Sequence, residues 1–157
     1  MIRRAEQCQG EVLINAHKIP ITVEDISTLS GLEWLNDKIL DFYLQVEHRD
    51  SVYDDTIHIF PLQMIEWRSR TGRFCPVLAF SIQRWTKKVD IFSYSLILVP
   101  VHLGKHWCLA AIDLNKKAIT YYDSLGGDNT ACVESLAEYL KVEHLDKKGV
   151  NIINGIS

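Results

Sequence analysis

The 157-residue sequence has no CxxC pair, no apolar run of membrane-spanning length, no low-complexity tract and no internal repeat. Its four cysteines, Cys8, Cys75, Cys108 and Cys132, are widely spaced. That spacing fits no paired zinc-ligand pattern and predicts reduced thiols in a nuclear or cytoplasmic, reducing compartment. With four prolines and eight glycines, and no Gly/Ser stretch, nothing marks a linker, so residues 1–157 read as a single domain. Charge is nearly balanced, 17 Lys and Arg against 20 Asp and Glu for a net −3, which provides no basic face for nucleic acid. Met1 is followed by the polar stretch Ile2-Arg3-Arg4-Ala5-Glu6-Gln7 instead of an apolar leader, so neither secretion nor membrane insertion is expected. No cofactor is called for either. What the chain does have is 47% hydrophobic and 24% charged residues, enough apolar material for one folded core.

Local patterns predict the elements. Thr22 is placed to cap a short helix reaching about Leu29, with Asp25 nearby and Ile21 and Ile26 as a hydrophobic staple. Asn36 is placed to cap a second helix, whose Leu35, Ile39, Phe42 and Val46 recur at helical spacing and which ends near His48. Ile57, Ile59, Met64 and Ile65 suggest a partly buried element, whereas Arg68 to Pro76 reads as loop. Tyr94 to Val101 and Trp107 to Asp113 are apolar at both alternating positions, the mark of central strands needing cover on each side. A polar turn, Asp113 to Lys117, leads to a third strand, Ala118 to Asp123, forming a hairpin with the second. Val133, Leu136, Ala137 and Leu140 trace one face of a last helix running to about His144, and Gly149 ends regular structure. Short helices, an antiparallel meander and a further helix make the class α+β.

Candidate chemistry centres on His106, ahead of the second central strand, and Asp123, at the end of the third. An imidazole oriented by a carboxylate is the base half of a hydrolytic site, but it needs a thiol or hydroxyl within hydrogen-bond reach. Taken alone, a histidine such as His106 is more often a polar residue at a strand end than a catalyst. His102, His106 and Cys108 are close in sequence, but no further carboxylate, Cys or His completes a tetrahedral set, so no metal site is expected. Trp34, just before a helix, reads as a packing aromatic on its own.

In combination, four blocks say more. Trp34-Leu35-Asn36-Asp37, Arg84 to Phe92, Val99 to Trp107 and Ile119 to Gly127 follow one another in an order that closely resembles the sentrin/SUMO-specific cysteine protease family. The resemblance covers about Ile21 to Lys148 and is poorest between Pro61 and Gln83. It implies a papain-like α+β fold of the SUMO-protease type, with a mainly antiparallel central sheet flanked by helices. It further implies His106 as general base and Asp123 as the carboxylate that orients it. Trp34 resembles the aromatic lid over the modifier's Gly-Gly tail, and Trp107 the opposing wall of that tunnel. Asp37, Arg84 and Lys87 resemble positions that contact the body of SUMO or a related modifier.

The sequence departs from the family after Lys148. There the family continues to an oxyanion-hole glutamine and a cysteine nucleophile at a helix N-terminus, whereas this chain reads Gly149 to Ser157. Cys108 is two strand residues from His106, a rise of about 6–7 Å that predicts no thiol–imidazole contact. Cys8 and Cys75 lie in unlike segments, and Cys132 sits early in a helix. The expectation is therefore a partial catalytic domain, lacking the C-terminal helices and inactive by itself, since losing a triad nucleophile costs about six powers of ten in turnover. Its rivals are a SUMO-binding module that does not cut, and an incomplete gene product.

Overall fold

The computed structural model describes residues 10–50, 56–60, 86–104 and 106–149. The chain divides into two compact units, Met1–Val52 and Tyr53–Ser157.

The first unit begins with an antiparallel hairpin of β1 (Val12–Ala16) and β2 (Ile19–Thr22), in which Ala16 pairs with Ile19. His17 and Lys18 form its two-residue turn with φ of 56° and 64°, the pair of left-handed residues that a type I′ turn requires. Neither is glycine or asparagine, so the usual signal is missing and the sequence reading did not anticipate this hairpin. Helix α1 (Val23–Ser27) starts as expected: Thr22 Oγ1 accepts from the Asp25 amide, and Asp25 Oδ2 accepts from the Thr22 amide. Ile21 is fully buried but Ile26 is 36% exposed, so reciprocal hydrogen bonds, not a closed staple, define the helix start. Helix α2 (Asp37–Asp50) is capped by Asn36, whose Oδ1 accepts from the Ile39 amide at 3.0 Å. The Asn36 amide donates to Asp25 Oδ1 at 2.7 Å, which ties the starts of the two helices together. Ile39 is buried on the side of α2 that packs on β2 and α1.

The second unit is built on a sheet of order β3-β4-β5-β6. Strand β3 (Ile57–Ile59) runs parallel to β4 (Leu96–His102), while β5 (Trp107–Asp113) and β6 (Ala118–Tyr122) complete an antiparallel meander. The predicted elements around Met64 and Ile65 and from Arg68 to Pro76 lie outside the described residues. A 3₁₀ turn, Ile91–Ser93, precedes β4 and is capped by Asp90. After β6 comes α3 (Thr130–Lys148), with Asn129 as N-cap and Gly149 closing it in the left-handed conformation at φ 69°.

Register explains the core. Ile97 faces Ile112, Val99 faces Ala110 and Val101 faces Cys108 across β4 and β5, while Ile119 continues the row on β6. These residues share one face and are buried together with Cys132, Leu136, Tyr139 and Leu140 of α3. Full burial of each large aliphatic side chain contributes about 1.5–3 kcal/mol. The alternate residues Leu96, Leu98, Leu109 and Ala111 are half-buried, so the second apolar face is partly covered, as the two-sided pattern implied. Helix α3 extends one turn beyond the predicted end at His144, because its last residues are tied to a segment about 60 positions earlier.

Candidate active site

His106 lies at the end of the β4–β5 connection. The chain reverses through Gly104, at φ +94°, and the Leu103 amide donates to the His106 carbonyl at 2.8 Å. The turn holds the imidazole at the mouth of β5. Asp123 follows β6 directly, and its Oδ1 stands 2.6 Å from His106 Nε2. Both side chains are largely enclosed, at 15% and 9% exposure.

The carboxylate is held by more than the imidazole. Its Oδ1 also accepts from the Leu125 amide at 2.8 Å, and the Gly126 amide donates to the Asp123 carbonyl at 3.0 Å. The Leu125 amide first, then the His106 contact, hold the Asp123 carboxyl below the usual carboxylate range, so it is ionised at neutral pH. Gly127 packs so closely that a Cβ there would stand 2.4 Å from Asp123 Oδ2. The tight Asp123–Gly127 turn thus fixes the carboxylate, and the carboxylate fixes the ring. With Nε2 turned to Asp123, Nδ1 is the nitrogen through which base chemistry would proceed.

Functional atoms of His106, Cys108 and Asp123 all lie within 4.8 Å of one another, nearer than the strand rise of about 6–7 Å by itself gives. Side chains two apart on a strand share a face, and the β5–β6 ladder, which pairs Leu109 with Tyr122, continues to set Cys108 opposite Asp123. A register count on the hairpin is the sequence signal for this gathering. Burial first, and the neighbouring Asp123 charge, outweigh a Tyr121 contact and push the Cys108 thiol up. Cys132, also buried, is pushed up to about 12, mainly by burial.

The same trio supplies a carboxylate and a thiol beside His106, donors that were not expected to gather there. Nε2 and Oδ1 at 2.6 Å are at hydrogen-bond distance, whereas two ligands each about 2.0–2.1 Å from a tetrahedral zinc would be about 3.3 Å apart. The 2.6 Å approach of His106 and Asp123 is that of a hydrogen-bonded pair.

The remaining candidates fall in different places. Trp107, next to His106, is half-buried and stacks on its cross-strand partner His102, with centroids 4.4 Å apart and an interplanar angle of 26°. Lys87 is exposed on the turn after Thr86, and Arg84 lies outside the described residues. Trp34 and Asp37 belong to the first unit: Trp34 precedes α2 and is 64% exposed, which sets it apart from a core aromatic, and Asp37 is the exposed first residue of α2. No helix among the described residues is long and apolar enough to cross a membrane.

Comparison with known proteins places these features in context. Residues 33–154 match the family described as the Ulp1 protease family, C-terminal catalytic domain. A sentrin-specific protease of Caenorhabditis elegans is 44% identical over 143 residues, covering 88% of this chain and 20% of the relative. Human sentrin-specific protease 2 is 35% identical over 146 residues, covering 92% of this chain and 24% of the relative. The crystal structure of the C-terminal Ulp1 protease domain in complex with Smt3, the yeast ortholog of SUMO, superposes with a TM-score of 0.69 at 28% identity. That alignment covers 92% of this chain and 66% of the solved one. The chain thus spans a quarter or less of the length of these curated relatives.

Proposed function

The chain belongs to the Ulp1 protease family, and on that premise we propose that residues 1–157 are part of a SUMO-protease catalytic domain that recognises the modifier and carries the base half of the hydrolytic machinery. The observation that carries this reading is the 2.6 Å contact between His106 Nε2 and the ionised Asp123. The family match from 33 to 154 includes residues of both compact units.

In the reaction, a thiol within reach of His106 Nδ1 gives its proton to the imidazole. The thiolate then attacks the carbonyl carbon after the modifier's Gly-Gly. Asp123 stabilises the imidazolium, which returns the proton to the leaving amine, and water releases the acyl group by the same base. Trp34 and Trp107 are each assigned, from the family positions they resemble, to recognition of the Gly-Gly tail. Asp37, Arg84 and Lys87 are assigned to the body of the modifier. The Cys108 and Cys132 thiols, raised by burial, are not assigned as the attacking group, and these 157 residues are read as binding without cutting. Buried, unpaired thiols also favour a reducing location in nucleus or cytoplasm.

The test is calorimetric titration of the 157-residue chain with SUMO ending in Gly-Gly, alongside hydrolysis of a SUMO C-terminal fluorogenic amide. Binding that depends on the Gly-Gly tail, without hydrolysis, is expected. Absence of binding overturns the recognition role, and hydrolysis overturns the claim that these residues do not cut.

A further inference from the structure

Helix α3 does something besides covering the sheet. Tyr139, Glu143 and Lys147 follow one another at four-residue intervals along it, one stripe of the helix surface, and all three are enclosed. Tyr139 donates its hydroxyl to Thr86 Oγ1 at 3.1 Å. Lys147 Nζ donates to the carbonyls of Thr86 at 2.6 Å and Val89 at 2.5 Å. The Glu143 carboxylate, 2% exposed, has Lys147 as its ion-pair partner at 3.5 Å. One residue further, Lys148 pairs with Asp90 at 2.6 Å, and His144 meets Phe92 edge-on at 4.8 Å.

These contacts converge on residues 86–92. The Lys147 ammonium meets both ends of the turn: it donates to the Val89 carbonyl and adds a second donor to the Thr86 carbonyl, which also accepts from the Val89 amide. Its buried carboxylate neighbour, Glu143, adds an ion pair at 3.5 Å. The exposed Lys87 and Lys88 lie on that turn. A long lysine on a mobile loop gives up side-chain and backbone freedom on meeting a partner, whereas one on a pinned turn has already lost the backbone part.

We propose that Lys147 is a positioning residue for modifier recognition: from α3 it pins the Thr86–Val89 turn so that Lys87 is presented to an acidic surface on the ubiquitin-like partner. The role of Lys87 rests on the function proposed above, whereas the pinning rests on the Lys147 contacts alone.

The test separates the two. Because Lys147→Met by itself leaves Glu143 buried and unpaired, the variant is Lys147→Met with Glu143→Gln, compared with Lys147→Arg, Lys87→Ala and the triple variant. Thermal unfolding selects folded variants, and SUMO affinity is measured by calorimetry. The double variant is expected to lose about tenfold in affinity, Lys147→Arg to retain most of it, and the triple variant to bind no worse than Lys87→Ala. Such non-additivity shows that Lys147 acts through Lys87, which a merely structural role would not produce. Unchanged affinity in the double variant, or fully additive losses, overturns the proposal. Amide hydrogen exchange gives the independent arm: the Val89 amide, which donates to the Thr86 carbonyl at 2.9 Å, exchanges faster in the double variant if Lys147 pins the turn. If wild-type chain does not bind SUMO, the proposed function and the Lys87 role both fall, while the exchange result decides the pinning; unchanged exchange overturns that too.

Discussion

Gly127 and Asp123 are in such close approach that the space a Cβ would take at residue 127 lies 2.4 Å from Asp123 Oδ2. The carboxylate cannot yield to a methyl group without leaving either the Leu125 amide or His106. Gly127→Ala is therefore expected to swing Asp123 out of its place and cost about 1–3 kcal/mol, the usual range for overpacking. Carbon-13 NMR of the Asp123 carboxyl checks this: its titration, held low in the native chain, should move back toward the ordinary value of about 3.9. An unmoved titration would show that the turn absorbs the methyl.

Asp25 makes stability in the first unit depend on pH. Burial raises its pKa, but hydrogen bonds from the Thr22 amide and hydroxyl, Asn36 and Lys38 outweigh this and lower it to about 2. A folded-state pKa below the unfolded one gives stability that is fully present above about pH 4, the unfolded value, and is lost as pH falls through the folded value. Urea unfolding midpoints should be flat from pH 7 to 5 and fall between about pH 4 and 2. Asp25→Ala should cost about 1–2 kcal/mol at pH 7 through loss of the cap and weaken that acid dependence. An Asp25→Ala profile as steep as wild type would reject Asp25 as the source.

Cys108 and Cys132 are expected to resist alkylation in the native chain. Both thiols are raised by burial, and only thiolate reacts at a useful rate. Mass spectrometry after iodoacetamide treatment at pH 7.5 should find both largely unmodified until denaturant is added. A SUMO vinyl-sulfone probe should label neither, and an adduct mapped to Cys108 would refute its assignment as a protonated bystander.

Trp34, at 64% exposure, has little folding energy to lose and, in the proposed role, much binding energy. Trp34→Ala should weaken SUMO binding by about 2 kcal/mol or more, the scale of an aromatic anchor, with the unfolding midpoint nearly unchanged. Equal affinity with wild type in calorimetry would remove Trp34 from the binding surface.

Features whose causes are local were legible in the residues. Thr22 with Asp25, and Asn36 before Asp37, set two helix starts because a cap needs only residues three apart. The polar stretch before Ala118 between two apolar runs set the β5–β6 hairpin, and the order of the blocks around Trp34, Lys87, His106 and Asp123 carried the family. The tertiary structure decided what depends on partners distant in the chain or on conformations that residue type does not announce. The β1–β2 hairpin turns on His17 and Lys18 at positive φ, a conformation that context imposes on residues not chosen for it. Strand β3 finds its parallel partner across nearly 40 positions, where no local periodicity could name β4. Cys108 gathers with His106 and Asp123 within 4.8 Å because the hairpin register brings Asp123 across from it, which the spacing of two residues along one strand does not announce. Lys147 meets the Thr86 and Val89 carbonyls only because α3 packs back across the sheet, and a charged residue in the last turn of a helix otherwise reads as solvated charge favouring the dipole.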